Sequence, residues 1–531
     1  MVLDDNQKIW QLAGVLLGLM ILSSCAVRGS ASDQSPLSKP LPTAPSDSCR
    51  DGETQARGAV RGGMVATPDP AATQAACEVL ADGGTAADAV VAAQYVLGLT
   101  EPQYSGPGGG GLLVYHDAQT GTTASFDGTV YAPDDPEGSV GVPQTDRLMD
   151  SVRAHFGTKS LEELTAPART LSTDGFEVTA RLADAMEARS ELFDNLPKAG
   201  DTLTNREYAD HLAGLDGTDN PIEPSDPLCV DYQGNSVCGP HSTATGMMVV
   251  GETLGILDRL DLARLTPQHG TARATAQHLM MEAERIAFTN ANTWMGDTTP
   301  DYVEEIVTGE HHLDAAADSI RQKKTLRGLT PEDLHGRSHR YEDSEDQGTS
   351  QVTIRDSAGS MASLTTTLQR SFGSGEKENG YFLNNSLDNF SSRARAGEPN
   401  HRDAGAHPRT TMSPVLVFAK GDDPLMVLGS PGGRKIPSYV VKTLVGMIDW
   451  ELTPEEAVAL PNVGATNRNS VYAAKDGREQ ARMRDLLEDW GHDLEPGSYD
   501  SGLSVIRVRD PRVAGAADPR RDGSVAGFDL Q

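Results

Sequence analysis

Residues 345–369 read EDQGTSQVTIRDSAGSMASLTTTLQ. A Gly-Thr step opens an alternation of polar and apolar residues, TSQVTIRD, with the period of a strand. Small residues at Ser357, Ala358 and Gly359 turn the chain, and SMASLTTTL runs back as a second strand. A hairpin centred there predicts Thr349 near Leu368 and Thr367 beside Ser350. A threonine hydroxyl is a weak nucleophile near neutral pH and needs a base. If the Gly348–Thr349 bond is cut, the new α-amino group, with an ordinary pKa of roughly 8, can be that base. Gly348 suits such a cut because glycine tolerates a strained backbone that exposes its carbonyl. Threonine is also a common strand residue, so the spacing alone equally describes an ordinary hairpin.

Outward from this hairpin, the chain before it is charged and rich in breakers (HGRSHRYEDSEDQG), an exposed linker by composition. Further strands are expected at Val415–Ala419 and Leu425–Leu428, and a helix over Pro437–Ile448. Upstream, Thr67–Leu99 holds two alanine-rich helices broken at Gly83-Gly84, followed by a hairpin in LLVYHDAQTGTTASFDG. Helical patterns dominate from Ser151 to Ile286, apart from a Pro-, Asp- and Gly-rich region at Gly214–Pro227. Two of those helices are expected at Gly246–Arg259 and Thr271–Phe288.

The 531 residues carry a formal charge of −31, which argues against nucleic acid or an anionic membrane surface as partner. The run IWQLAGVLLGLMIL is too short for a comfortable membrane span but suits a signal-peptide core. It leads into LSSC, which resembles a lipobox, so lipid on Cys25 is expected to tether an extracytoplasmic protein to the outer face of the cell membrane. The leading MVLDDNQK is less basic than signals usually are. Residues 1–25 thus read as a signal peptide and 26–57 as a Ser/Pro/Ala-rich flexible tether. Cys49, Cys77, Cys229 and Cys238 allow two disulfides in an oxidising compartment, with three possible pairings; Cys229 and Cys238 flank a hairpin-like VDYQGNSV. No Cys-x-x-Cys or helical His-x-x-x-His pair suggests a metal.

From about Gly63 onward the chain resembles the γ-glutamyltranspeptidase family of N-terminal-nucleophile hydrolases. The resemblance is carried by the stretch GGMVATPDP through SGPGGGGLLVY, then DQGTSQVTIRDSAGSMASLTTTLQRSFGSG, FLNNSLDNFS, TTMSPVLVF and GSPGG in the family's order. It implies an α+β fold, a four-layer αββα sandwich that cuts itself into a large subunit (58–348) and a small one (349–531). It also implies an acyl transferase and hydrolase needing no cofactor and no metal, acting on a small-molecule or peptide amide. By position, Thr349 matches the nucleophile, Thr367 the threonine that orients it, and Gly432 and Gly433 the oxyanion donors, with cleavage between Gly348 and Thr349.

The substrate clamp departs from the family. An arginine that pairs with the glutamyl α-carboxylate is replaced by Thr129, and an asparagine by Gln369. The acidic or amide pair for the α-ammonium becomes Ser386 and Asn389, while two serines become Thr410 and Thr411. These losses weaken recognition of a glutamyl zwitterion. Arg409 and Arg434 are the nearby candidates for a replacement cation. The segment from Phe390 to Thr411 takes the place of the family's lid, without a gating aromatic, and predicts a more open pocket. Three activities follow: γ-glutamyl transfer and hydrolysis, an amidase or acylase on another donor such as a glutaryl or polymeric one, or a surface lipoprotein that binds without turnover.

Overall fold

The Glu345–Gln369 stretch does pair as two antiparallel strands, but one residue away from the expected register. Thr367 lies directly opposite Thr349, and Thr366 opposite Ser350. The cause is the turn. It is centred on Ala358: the Asp356 N–H donates to Ser360 O at 2.9 Å, and the Asp356 carboxylate accepts the main-chain N–H groups of Ala358, Gly359 and Ser360 at 2.9 Å each, so residues pair symmetrically about Ala358. The odd-numbered threonines therefore share one face.

This computed structural model describes residue 49 and residues 56–241, 245–265, 270–297, 299, 301–331, 348–465, 471–473, 477–495 and 499–529. The signal segment, Cys25, most of the tether and the charged stretch before Gly348 lie outside the described residues. The sheet strands are numbered β1 (Ala56–Val60), β2 (Met64–Thr67), β3 (Gly110–Asp117), β4 (Thr122–Gly128), β5 (Leu228–Tyr232), β6 (Asn235–Gly239), β7 (Gly348–Arg355), β8 (Met361–Gln369), β9 (Val415–Ala419), β10 (Asp423–Gly429), β11 (Ser504–Arg509), β12 (Arg512–Ala517) and β13 (Ser524–Gly527). The helices that matter below are α1 (Pro70–Ala81), α2 (Ala86–Thr100), α3 (Thr245–Leu257), α4 (Gly270–Trp294) and α5 (Ile436–Ile448).

Among the described residues two large sheets form, a six-stranded one ordered β13-β2-β7-β8-β3-β4 and a seven-stranded one ordered β1-β12-β11-β10-β9-β6-β5, beside three small sheets of two or three strands. Strand alternation sorts their side chains into layers. Leu416, Phe418, Val427 and Ile506 pack between the sheets with Met64 and Met361. Val415, Val417, Met426 and Val505 instead face α3, α4 and α5. On the other side, Val352, Ile354, Ala362 and Leu364 face α1 and α2. The result is the four-layer αββα sandwich.

The helices start where their caps require. Asp69 accepts the Ala72 N–H at 2.9 Å ahead of Pro70. Thr85 and Asp88 form a reciprocal capping box for α2, all of whose residues are buried. Both disulfides form, Cys49–Cys77 onto α1 and Cys229–Cys238 across the β5/β6 hairpin.

Candidate active site

The alternation of β7 puts Val352 and Ile354 against the helices, so Thr349, Gln351 and Thr353 face the other sheet. That inter-sheet face is polar at this end. Gln351 Nε2 donates to Ser363 Oγ at 3.0 Å, and Thr365 Oγ1 donates to Gln351 Oε1 at 2.6 Å. Thr349 opens this polar strip and is buried.

Thr367 holds the nucleophile and the bond to be cut at once. Its hydroxyl donates to the Gly348 carbonyl at 2.5 Å and accepts the Gln369 N–H at 2.8 Å. The Thr349 and Thr367 hydroxyl oxygens lie 3.3 Å apart. With the Thr367 proton committed to the carbonyl, Thr349 is the donor of that contact. Thr367 thus draws on the proton of the attacking oxygen while polarising the carbon it must attack.

Gly348 is not strained as the sequence suggested. It is a strand residue outside the left-handed region. It is glycine for want of room: a Cβ would lie 2.5 Å from the Arg370 carbonyl oxygen. The strain sits instead at Gln369, a non-glycine residue with φ of 80° at the irregularity that ends the β7/β8 pairing.

The glycines after β10 have left-handed backbones, with φ of 142° at Gly432 and 56° at Gly433. A Cβ on Gly432 would lie 2.5 Å from Tyr439 Cε2, so both conformation and space exclude a side chain there. This turn leaves β10 at Gly429, whose missing side chain leaves space for Gln351. Thr411 Oγ1 donates to the Gly433 carbonyl at 3.0 Å.

Beside Thr367, a cavity of about 280 Å³ is lined by Thr129, Gln369, Ser386, Asn389 and Thr410 together with Val130, Pro408, Arg409 and Met412. Residues far apart in sequence thus meet in one place. Gln369 Nε2 donates to Asn389 Oδ1, and Asn389 Nδ2 donates to the Arg409 carbonyl at 3.3 Å. The guanidinium of Arg409 turns to the C-terminal end of α4, donating to Ala291 O at 3.2 Å and Asn292 Oδ1 at 3.1 Å. Arg434 lies 3.8 Å from Glu495. The segment from Phe390 to Thr411 contributes Pro408, Arg409 and Thr410 to the lining of this cavity. It is pinned by hydrogen bonds between Ala132 N–H and Ala406 O and between Gly405 N–H and Ala132 O, and its His407 bonds to Thr129.

Two residues escaped the sequence reading. Arg521 donates to the Thr349 carbonyl at 3.0 Å, and its guanidinium carbon lies 5.1 Å from the centre of the Tyr104 ring. Glu101, the first residue after α2, accepts the Ser350 hydroxyl at 2.5 Å. The signals were a basic pair in DPRRDG and a lone acid in VLGLTEPQY. Neither pattern is distinctive without knowing what the fold places next to it.

Burial pushes the Glu101 carboxyl up to about 7, against the Arg521 guanidinium and the Ser350 hydroxyl, which both pull it down. The folded protein therefore keeps a proton that the unfolded chain, with a carboxyl near 4.5, has released, so stability falls as pH rises between those values. In a Glu101→Gln variant this loss is absent. Its melting temperature relative to wild type is expected to rise by a few degrees from pH 4.5 to pH 8. A difference between the two proteins that does not change with pH removes Glu101 as the titrating group.

Away from the cavity, His278, Glu282 and His492 meet in the interior. His278 Nδ1 and His492 Nε2 are 2.6 Å apart, a hydrogen-bond contact shorter than the roughly 3.3 Å that two tetrahedral bonds of about 2.0 Å would set. Glu282 is taken by Arg285, Thr325 and the Leu326 N–H. These side chains bind one another rather than form an evident metal centre.

Known proteins match most of this chain. The sequence model of the family described as Gamma-glutamyltranspeptidase matches residues 72–218 and 215–528. The "Glutathione hydrolase proenzyme" of Bacillus subtilis (strain 168) is 27% identical, over 88% of this chain and 92% of that protein. Its counterpart in Escherichia coli (strain K12) is 28% identical over the same shares. The "Capsule biosynthesis protein CapD proenzyme" of Bacillus anthracis is 26% identical, over 87% of this chain and 90% of that one. Among solved structures, the cephalosporin acylase from Bacillus halodurans superposes with a TM-score of 0.77 at 21% identity, covering 89% of this chain and 97% of that one. This last likeness concerns the fold.

Proposed function

Because this chain belongs to the gamma-glutamyltranspeptidase family of enzymes, we propose that it is an exported precursor that cuts itself before Thr349 and then works as a threonine acyltransferase and hydrolase. The observation that carries the reading is the Thr367 hydroxyl, which sits between the Thr349 oxygen and the Gly348 carbonyl. In maturation, the Thr349 hydroxyl adds to the Gly348 carbonyl carbon. The C–N bond breaks, the Thr349 nitrogen takes the proton, and water hydrolyses the resulting ester. In turnover, the freed amine accepts the hydroxyl proton as Thr349 attacks a donor amide. That proton passes to the leaving amine, and water or a second amine removes the acyl group from the threonine. Gly432 and Gly433 are the proposed donors to the oxyanion.

Two relatives named as glutathione hydrolase proenzymes, matched over most of both chains, support γ-glutamyl amides as one donor class. The neutral residues Thr129, Ser386 and Asn389 favour the second reading, an amidase acting on a different acyl group. Export and lipid on Cys25 rest on the leader sequence, and they place the enzyme outside the cytoplasm with its two disulfides. The test is intact mass and N-terminal sequencing of mature protein. Two polypeptides, one beginning at Thr349, together with release of an amine from an amide donor, support the reading. A single chain running unbroken through residue 349 overturns it.

A further inference from the structure

We propose that the acyl donor taken by the cavity beside Thr367 bears an amino group but no carboxylate at its far end. The inference rests on the acyl-enzyme reading above and names the donor class for the same site. It turns on Thr129, Asp127, His407 and Asp297, a wall that the sequence alone does not assemble.

Thr129 has no proton to offer a ligand. Its hydroxyl donates to Asp127 Oδ1 at 2.5 Å, and its main-chain N–H donates to the same oxygen at 3.0 Å. The bond of 2.9 Å between Thr129 Oγ1 and His407 Nδ1 must then have the imidazole N–H as donor. The main-chain N–H of His407 in turn bonds to the Asp297 carboxylate. With both carboxyls ionised, Asp127, Asp297, His407 and the lining Arg409 sum to zero when the imidazole is protonated and to one negative charge when it is neutral.

Of the described residues that line the cavity, Arg409 alone is charged. Ser386 and Asn389 are neutral, and Val130, Pro408 and Met412 are apolar. Arg409 contributes to the lining, but its guanidinium donates to Ala291 O and Asn292 Oδ1 on α4. A carboxylate set against Thr129 therefore meets oxygen lone pairs and the field of the Asp127 carboxylate behind them, while the Arg409 guanidinium is engaged on α4. An ammonium meets the same lone pairs and field favourably.

Four anilides of related acyl chains separate the two charges. The γ-glutamyl compound carries amine and carboxylate, the glutaryl compound only the carboxylate, the 4-aminobutyryl compound only the amine, and the butyryl compound neither. For the processed enzyme, kcat/KM is expected to be highest for 4-aminobutyryl and at least tenfold lower for both carboxylate-bearing compounds. Thr129→Arg is expected to raise the glutaryl and γ-glutamyl values at least tenfold and to lower the 4-aminobutyryl value. Asp127→Asn is expected to shrink the ratio of 4-aminobutyryl to butyryl, a ratio that does not depend on how much variant folds. A wild-type enzyme that handles γ-glutamyl or glutaryl as well as 4-aminobutyryl overturns the inference. So does one that is cut before Thr349 yet turns over none of the four, although the acyl-enzyme reading then survives. A protein that is never cut takes both down.

Discussion

Thr349→Ala is expected to yield one unbroken polypeptide that releases no amine from any amide donor. Removing one oxygen deletes the nucleophile of both steps: the attack on Gly348 that makes the mature N-terminus, and the attack on the donor. No neighbour can stand in. Thr367 is spent on the Gly348 carbonyl and the Gln369 N–H, and Ser350 is spent on Glu101. Turnover is expected to fall by at least about 10⁴-fold, as when the nucleophile of a catalytic unit is removed. Thr349→Ser keeps an oxygen at the same place and is expected to be cut, more slowly. The readouts are a denaturing gel and the rate of amine release. An alanine variant that still separates into two chains at this bond would remove Thr349 from the mechanism.

Thr367→Val is the second large effect. Valine preserves the branched shape but loses both hydrogen bonds. The Gly348 carbonyl is no longer polarised, and the Gln369 N–H loses this acceptor at a left-handed residue that already carries strain. Loss of a donor that stabilises developing negative charge costs about 3 kcal/mol, so maturation is expected to slow by roughly 10²-fold. Loss of that hydrogen bond adds about 1 kcal/mol of instability. Thr367→Ser is expected to recover most of both. Time courses of precursor loss, read beside thermal melts, separate the two contributions. Maturation at the wild-type rate in the valine variant would show that the contact to Gly348 is incidental.

Much of this was readable from residue types. The caps of α1 and α2, the break at Gly83-Gly84 and the strands on either side of Asp356 follow from local rules of hydrogen bonding and periodicity. The site residues were readable only through resemblance, because a threonine in a strand has no local mark of being a nucleophile. Register was misread by one residue because the turn that Asp356 caps is centred on a single residue, Ala358, and alternation does not report where a turn is centred. Gly348 was misread too. Its need for glycine comes from the Arg370 carbonyl, 22 positions further along the chain and visible only once β8 has folded back.

The chain's order of residues settled the secondary elements, the pairing of β7 with β8 and the types of group available for acyl transfer, since these depend on neighbours within a turn or a hairpin. Folding in three dimensions decided what stands next to the reactive oxygen: Arg521 on the Thr349 carbonyl, Glu101 beneath Ser350, and an acidic wall with His407 behind Thr129. Those contacts join segments hundreds of residues apart. Charge, proton position and available room at a point in space depend on distance through the interior, which separation along the chain does not encode.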